Sequence, residues 1–497
     1  CPSCSAICWI FTSSGRLCAG TVVVADGAVT TGPGSLRSRQ AQTASEPASR
    51  GTASFFTAVR VTYASEAARV KSQLLASAVL MITVIGCSSD DQPGEAEVPR
   101  PDDAVALAAR DACQFKAGAL PQDTLGKSDP IAKRIPVDHI FVLMMENRSF
   151  DHYFSKLPEY GVTDVTVADD SFSNVDDTGK SVKWFHETEY CVEDPSHGWG
   201  GSHRQWNTGK NDGFVLDNEP NGRRAMGYFD GSDLPFYYAL AKEFSIGDRY
   251  FCSLLGPTWP NRMYLYSASS HGLTENTLPT LKVANIFAAL NEKKIEWKVY
   301  RSNLPPAAMF VETWLESIQG CGTGDGPCRV ANIDDLEADL ASGDLPPVVF
   351  VDPEYSTGIL ETSEHPPGNP HHGQRFTWRV VDALTKSPVW KRSALFITYD
   401  EHGGFADHVA PPPACHPGDA EPDEAKHGTF DRFGFRVPLM VVSPFAKKGY
   451  VSHQVRDHTA ILRFIQARHG IGAFSNRDAN SDALMDLFDF EAAPHAT

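Results

Sequence analysis

The sequence is poor in positive charge: 44 lysines and arginines stand against 62 aspartates and glutamates, and the formal net charge is −18. Proteins that bind the phosphate backbone of nucleic acids carry basic patches that displace counterions. We therefore expect no nucleic acid among the partners of this chain.

Two catalytic motifs are absent as well. The sequence contains no G-x-S-x-G segment, which forms the nucleophile elbow of serine hydrolases, and no H-E-x-x-H segment, which binds zinc in many metalloproteases. A serine esterase and a zincin therefore have no support in the sequence.

The apolar stretch at residues 74–85 is too short to span a bilayer, which takes about 20 apolar residues. Arg69 and Lys71 precede it, and Gly86 and Cys87 close it, in the pattern of a secretory signal. Its end resembles the lipobox of bacterial lipoproteins, in which the cysteine is lipidated. We predict a lipoprotein-type signal peptide at residues 70–87, a membrane anchor at Cys87, and export to the cell envelope or secretion. A buried core helix is the alternative.

The segments on either side of this signal differ in composition. Residues 1–69 are rich in small residues without a helical or strand period, so we expect a disordered segment or one translated upstream of a start at Val70. Residues 88–112 are predicted to form an acidic, proline-containing linker, and residues 113–490 the catalytic domain.

Six cysteines follow Cys87, an even number that is compatible with disulfides in an exported protein. We predict that Cys321 pairs with Cys328, because the glycine-rich segment between them closes easily. The remaining pairings are left open by the sequence.

Apolar runs alternate with helical patterns over most of the chain. Strands are predicted at residues 138–145, 296–300, 347–351, from 394 onward and at 437–442, and helices at 284–293, 379–385 and 458–468. Such alternation is typical of an α/β protein whose mostly parallel sheet lies between two layers of helices. With 497 residues and 42% hydrophobic content, the chain can bury a large core.

Ionisable side chains follow two of the predicted strands. Glu146 and Asn147 come after the first strand, and Asp400 and Glu401 after the strand that begins at residue 394. Ligands of open α/β sheets bind at the carboxyl ends of the strands, and carboxylate and amide oxygens suit a hard cation. The alternative for each pair taken alone is a solvated turn.

Three further residues are candidates for a functional site. Thr258 precedes Pro260 at a predicted helix start, where free amides and the helix dipole favour phosphate, although a Thr there is often only a cap. His197 lies in a loop rich in glycine and tryptophan, and His365 lies just before another helix. A single loop histidine is usually a surface residue. The case for a functional role of His197 and His365 therefore depends on the neighbouring motifs.

Four segments together resemble a known family. They are ENRSFDHYF at 146–154, GPTWPNR at 256–262, EHPP at 364–367 and TYDEHGGFADHV at 398–409. In this order they resemble the phosphoesterase family of bacterial phospholipases C and acid phosphatases, which also includes plant non-specific phospholipases C. The resemblance extends over about residues 113–470. It implies a three-layer α/β/α sandwich similar to that of alkaline phosphatases.

The resemblance also implies roles for individual residues. Thr258 would be the nucleophile, and a divalent metal ion would be held by Glu146, Asn147, Asp400 and Glu401 together with the Thr258 oxygen. The residues expected to face the phosphoryl group or the leaving oxygen are His197, His365 and His408. A Thr hydroxyl is a poor nucleophile by itself, and metal coordination is one way to activate it.

The function implied is that of a metal-dependent phosphoric ester hydrolase of the phospholipase C type, acting through a phosphothreonyl intermediate on a phosphate ester, with phospholipid as a candidate. Alternatives are an acid phosphatase, a sulfatase-like or phosphotransferase enzyme, and a lipid-anchored binding protein without catalysis. A binding protein without catalysis is disfavoured, because all the candidate metal ligands and the candidate nucleophile are present in the sequence.

The substrate depends on what lines the mouth of the site. A phosphodiester needs room for a second substituent on phosphorus, whereas a phosphomonoester dianion favours additional cationic contacts. Four nearby tryptophans are candidates to hold a choline group by cation–π contact, with core packing as the alternative. They are Trp184, Trp199, Trp206 and Trp259.

Overall fold

The computed structural model describes residues 8–11, 17–20, 100–277, 282–319, 321, 328–355, 358–418 and 429–491. The predicted signal peptide, Cys87 and the first part of the predicted linker lie outside these residues. The chain divides into two compact units, Cys1–Ala96 and Glu97–Thr497. In the first unit, strands β1 (Cys8–Phe11) and β2 (Leu17–Gly20) pair antiparallel.

The second unit contains the remaining strands and all described α-helices. Its strands are β3 (His139–Met145), β4 (Ser173–Val175), β5 (Ser181–Lys183), β6 (Phe185–His186), β7 (Gly227–Tyr228), β8 (Ser245–Gly247), β9 (Trp297–Arg301), β10 (Val330–Asn332), β11 (Val348–Val351), β12 (Ser393–Tyr399), β13 (Leu439–Val442) and β14 (Val451–Ser452). Its helices are α1 (Asp103–Asp111), α2 (Pro121–Thr124), α3 (Phe150–Phe154), α4 (Trp199–Trp206), α5 (Pro235–Glu243), α6 (Thr258–Ser267), α7 (Ile286–Glu292), α8 (Val311–Ser317), α9 (Leu336–Ser342), α10 (Pro370–Lys386), α11 (His458–His469) and α12 (Asn476–Ala479).

An eight-stranded sheet forms the centre of this unit, in the order β10-β9-β11-β3-β12-β13-β8-β14. Its strands are parallel except for β13, which pairs antiparallel with both of its neighbours. Strands β3 and β12 lie side by side in the middle, and nearly all their residues are buried. Burial on both faces explains why these two strands are almost continuously apolar in the sequence.

Helices cover both faces of the sheet. Phe350 of β11 and Phe396 of β12 both align with Val142 of β3, so they lie on the same face. On that face Phe350 contacts the Phe287 ring of α7, and Phe396 contacts the Phe464 ring of α11.

The opposite face is marked by Tyr399, which is an odd number of residues from Phe396 along β12. The Tyr399 ring contacts that of Tyr153 in α3, and Tyr237 of α5 stacks on Tyr153 in turn. Tyr237 also hydrogen-bonds to Thr377 of α10. The predicted three-layer α/β/α arrangement with a mostly parallel sheet is therefore confirmed.

The predicted strands and helices of the catalytic domain are present, with differences at their ends. The largest difference is α10, which begins at Pro370 instead of residue 379. Asn369 caps this helix by accepting a hydrogen bond from His371 N–H, and Pro370 suits its first turn. These local signals lie before the amphipathic segment from which the helix was predicted.

The structure also differs from the sequence prediction before residue 113. Helix α1 occupies residues 103–111, where a linker was expected, and it is fixed to the domain because Arg110 donates to the carbonyl of Thr124 at 2.6 Å. The predicted disulfide between Cys321 and Cys328 is present. A second disulfide joins Cys113 to Cys415. Among the described helices none is both long and apolar enough to cross a membrane.

Candidate active site

A cavity of about 590 Å³ contains several of the predicted site residues. Its lining consists of Glu146, Thr258, Trp259, Arg262, Asn276, Asn303, Leu304, Pro306, Tyr355, Gly358, Glu361, His365, Pro366 and Pro367. Thr258, Glu146 and His365 come from three different motifs and still border one space. The structure therefore brings together the nucleophile, a metal carboxylate and a histidine of the sequence prediction.

Thr258 is the first residue of α6, and Pro257 is its N-cap. Thr258 therefore lies next to the cap, at the predicted helix start, but is not the capping residue itself. In the described part of the chain the Thr258 hydroxyl makes no hydrogen bond, and the side chain is 6% exposed. A hydroxyl at a helix start that is not used for capping is available to a ligand in the cavity.

The carboxylates lie next to each other because β3 and β12 are neighbouring parallel strands. Met145 and Tyr399, their last residues, are in register, so the residues that follow both strands meet at the same edge of the sheet. The Asn147 amide N–H donates to Oδ1 of Asp400 at 3.1 Å. Asn147 has a φ of +62°, and Gly403 passes so close that a Cβ there would lie 2.2 Å from the Asn147 carbonyl oxygen.

Arg262 joins these carboxylates to α6, and the sequence analysis did not assign it a role. Its Nε donates to Asp400 Oδ2 at 3.1 Å, and its Nη2 lies 3.5 Å from Glu146 Oε1. Its Nη1 donates to the Tyr355 hydroxyl at 3.1 Å. Arg262 follows Thr258 by one helical turn and so shares its face of the helix, a spacing that could have identified it.

Buried oxygen atoms that lack a hydrogen-bond partner indicate whether these residues could bind a cation. Within the described residues, Oδ1 of Asn147 and Oε1 of Glu401 are buried and have no hydrogen-bond partner. Buried polar atoms are nearly always satisfied, so two such oxygens on residues that follow neighbouring strands fit a hard cation. Burial raises the pKa of Glu146 to about 8, and the nearby charges of Asp400 and Glu401 contribute. The donor set therefore fits a divalent metal ion.

His197 and His365 lie on one side of this group. The Nδ1 of His197 is 2.8 Å from the carbonyl oxygen of Pro195, and its Nε2 is 3.2 Å from the Asn147 side-chain nitrogen. The two imidazole rings are 5.6 Å apart in an edge-to-face arrangement. Asp194, to which the sequence analysis gave no role, lies 3.5 Å from Nδ1 of His197 and 3.9 Å from Nε2 of His365. These three side chains are close enough to share one ligand.

The charge of His197 is set by its neighbours. Burial alone would lower the pKa of this imidazole, but the carboxylates of Glu401 and Asp194 outweigh burial and raise the pKa to about 9. In the absence of another cation, the ring is therefore protonated at neutral pH. A cationic ring suits an anionic phosphoryl group.

The structure places His408 elsewhere, which corrects its expected role facing the phosphoryl group. Its Nδ1 lies 2.5 Å from Oδ2 of the buried Asp151, and Arg436 binds both Asp151 and Asp407 at 2.9 and 2.8 Å. No described contact joins His408 to the residues that line the cavity. The ion pairs among His408, Asp151, Asp407 and Arg436 connect the first motif to the fourth.

The tryptophans also separate into two groups. Trp184 and Trp199 are buried in apolar clusters away from the cavity lining, and Trp206 lies under the guanidinium of Arg432. Trp259 alone among the four lines the cavity. Core packing was therefore the better interpretation for Trp184 and Trp199.

The similarity of this chain to known proteins identifies it as a hydrolase of phosphoric esters. The sequence matches the Phosphoesterase family over residues 137–472, and the chain belongs to that family.

Named relatives are similar over most of the chain. Phospholipase C B of Mycobacterium tuberculosis is 32% identical over 438 residues, covering 76% of this chain and 82% of that protein. Non-specific phospholipase C6 of Arabidopsis thaliana is 31% identical and covers 72% of this chain and 73% of that protein. A solved structure of an alkaline phosphatase superfamily protein from Vibrio parahaemolyticus has 10% identity and a TM-score of 0.36, covering 78% of this chain and 79% of that one.

Proposed function

We propose that the protein is a phospholipase C-type phosphodiesterase that uses Thr258 as its nucleophile. The observation that carries this proposal is the shared cavity, in which Thr258, Glu146 and His365 border one space. The phospholipases C among the similar proteins support the same class of substrate.

The reaction is a double displacement at phosphorus. The Thr258 oxygen attacks phosphorus and its proton passes to solvent, the bond from phosphorus to the glycerol oxygen breaks, and His365 gives the leaving oxygen a proton. The enzyme then carries the head-group phosphate as an ester of Thr258. Water then attacks the same phosphorus and gives a proton to His365, the bond from phosphorus to the Thr258 oxygen breaks, and Thr258 regains a proton from solvent as the phosphorylated head group is released.

The protein residues around Thr258 stabilise the charge that develops in these steps. His197, held by the Pro195 carbonyl, is placed to donate a hydrogen bond to a phosphoryl oxygen. Glu146, Asn147, Asp400 and Glu401 would hold a divalent metal ion, which supplies Lewis acidity at the nucleophile and the phosphoryl oxygens. Arg262 holds the side chains of Asp400 and Glu146 in place.

The residues that line the cavity favour a phosphodiester substrate over a phosphomonoester. Arg262 is the only lysine or arginine among the described residues that line it, and its guanidinium is already paired with Asp400 and Glu146. A phosphomonoester dianion would gain little extra cationic contact there. Apolar residues such as Trp259 and Leu304 instead offer a surface for the second substituent of a diester.

A product assay tests the proposal. The purified protein is incubated with phosphatidylcholine and, separately, with a simple phosphomonoester, in the presence of a divalent metal salt. We expect diacylglycerol and phosphocholine from the first substrate, and much slower phosphate release from the second. Fast phosphate release without phosphocholine would replace the diesterase with the acid phosphatase alternative, and no product from either ester would reject both.

We also propose that the exported protein is anchored through a lipid on Cys87, because the apolar stretch before it ends like a lipobox. Fractionation of cells that produce the wild type and Cys87→Ser tests this. The wild type should partition with membranes and the variant should not. Equal partition of the two would reject the anchor.

A further inference from the structure

Glu364, the residue before His365, lies at the centre of a buried hydrogen-bond cluster. Its Oε1 accepts a hydrogen bond from the Tyr237 hydroxyl at 2.5 Å. Its Oε2 accepts from the hydroxyls of Tyr153 and Tyr399 at 2.6 and 2.8 Å. The residue has no exposed surface. Three hydroxyl donors on one buried carboxylate form a network in which each member depends on the others.

The main chain of Glu364 is fixed as well. Its carbonyl oxygen accepts hydrogen bonds from Nε and Nη2 of Arg148 at 3.1 and 2.5 Å. The residue has a φ of +75°, a left-handed conformation that costs free energy for any residue other than glycine. The surrounding contacts therefore hold the chain in a shape that it would not adopt alone.

Helix α10 packs against this side chain through Gly373. A Cβ at Gly373 would lie 2.1 Å from Cγ of Glu364, so only a glycine allows the approach. The loop that carries His365 is thus held between α10 and the tyrosine hydroxyls.

The partners of Glu364 belong to the segments that build the active site. Arg148 follows Glu146 and Asn147 directly, and Tyr399 directly precedes Asp400. The recorded hydrogen bonds of His365, in contrast, stay within its own loop, to the Pro366 carbonyl and the Ser363 hydroxyl. The loop is tied to the strand ends in two ways: the Glu146 amide donates to the Ser363 carbonyl at 2.8 Å, and Glu364 contacts Arg148 and Tyr399.

We propose that Glu364 is a positioning residue that aligns the imidazole of His365 with the metal-binding strand ends. The inference rests on the proposed function, in which His365 gives a proton to the leaving oxygen. Glu364 itself touches no reacting atom. It acts by holding the backbone of its neighbour, as residues behind catalytic groups commonly do.

A double-mutant cycle separates this role from a purely structural one. Glu364→Gln, His365→Ala and the double variant are compared on the ester that the product assay identifies as the substrate. We expect Glu364→Gln to lower kcat by about 10- to 100-fold with little change in KM. The same substitution should have almost no further effect on kcat when His365 is already Ala.

A matched control is Asp478→Asn. Asp478 is also a fully buried carboxylate with several donors, including Gln466 Nε2 at 2.7 Å, and it lies on α12 outside the active site. It should lower the melting temperature without changing kcat. If Glu364→Gln does not fold, Tyr237→Phe removes one donor from the same carboxylate and should lower kcat only when His365 is present.

Two results would overturn the inference: an unchanged kcat in folded Glu364→Gln, or an equal loss in the presence and absence of His365. Neither result bears on the substrate class, which the wild-type product assay decides by itself.

Discussion

Replacing Thr258 with alanine is the sharpest test of the proposed chemistry. The structure predicts a large loss of kcat and only a small loss of folding free energy. The hydroxyl makes no described hydrogen bond and does not cap α6, so its removal should cost about 1 kcal/mol of folding free energy or less. Loss of the nucleophile should lower kcat at least about 1000-fold, which corresponds to about 4 kcal/mol of activation free energy. Thr258→Ser keeps the attacking oxygen and should retain measurable turnover.

The assay has a kinetic and a covalent readout. Rapid-quench samples of the wild type with phosphatidylcholine should contain protein whose mass has increased by one phosphocholine group, located on the peptide that contains Thr258. The adduct should be absent in Thr258→Ala. A phosphomonoesterase would instead carry a bare phosphoryl group, so the mass of the adduct also separates the two candidate functions.

Thr313→Ala is a suitable control for the substitution itself. Thr313 is 8% exposed and lies in the first turn of the short helix α8, so it matches Thr258 in burial and local structure without lining the cavity. Its variant should keep full turnover. Full activity of a folded Thr258→Ala protein would refute the mechanism, and the residue would then be only a helix-start residue.

Three other predictions concern the metal, pH and the disulfides. Glu401→Gln should weaken activity in a way that a higher divalent metal concentration partly restores, as measured by metal titration of kcat. Burial lowers the pKa of His458 from 6.5 to about 4, so the unfolded chain takes up a proton that the folded one resists. Stability measured by urea unfolding should therefore fall as pH drops from about 6.5 to about 4, by up to about 3 kcal/mol, and less in His458→Gln. Cys415→Ser opens a disulfide across 302 residues and should cost more stability than Cys328→Ser, which opens one across 7.

The features that the sequence predicted correctly are those with local signals. Strands β3 and β12 are continuous apolar runs, and each is followed by a distinctive polar group, so both strands could be identified from the sequence. That the two strands are neighbours was not predicted from the sequence. The antiparallel direction of β13 had no such signal, because strand direction is set by connections through the whole domain.

His408 shows why local pattern alone misassigns a role. It follows Asp407 in the same glycine-containing segment that holds Asp400 and Glu401, so its position in the sequence places it near the site. Its contacts are instead with distant partners. Asp151 is 257 residues away in the sequence, and it takes the imidazole of His408 into a buried ion cluster with Arg436.

The availability of the Thr258 hydroxyl depends on Asn261, to which the sequence analysis gave no role. A Thr at a helix start ordinarily caps the helix, and that use would occupy its oxygen. Here Asn261, one turn later, binds the turn instead. Its Oδ1 accepts from the amides of Ser253 and Leu254 at 2.8 and 3.0 Å, and its Nδ2 donates to the Gly256 carbonyl at 2.8 Å. The backbone before α6 is thus held without Thr258, and its hydroxyl is left to the cavity.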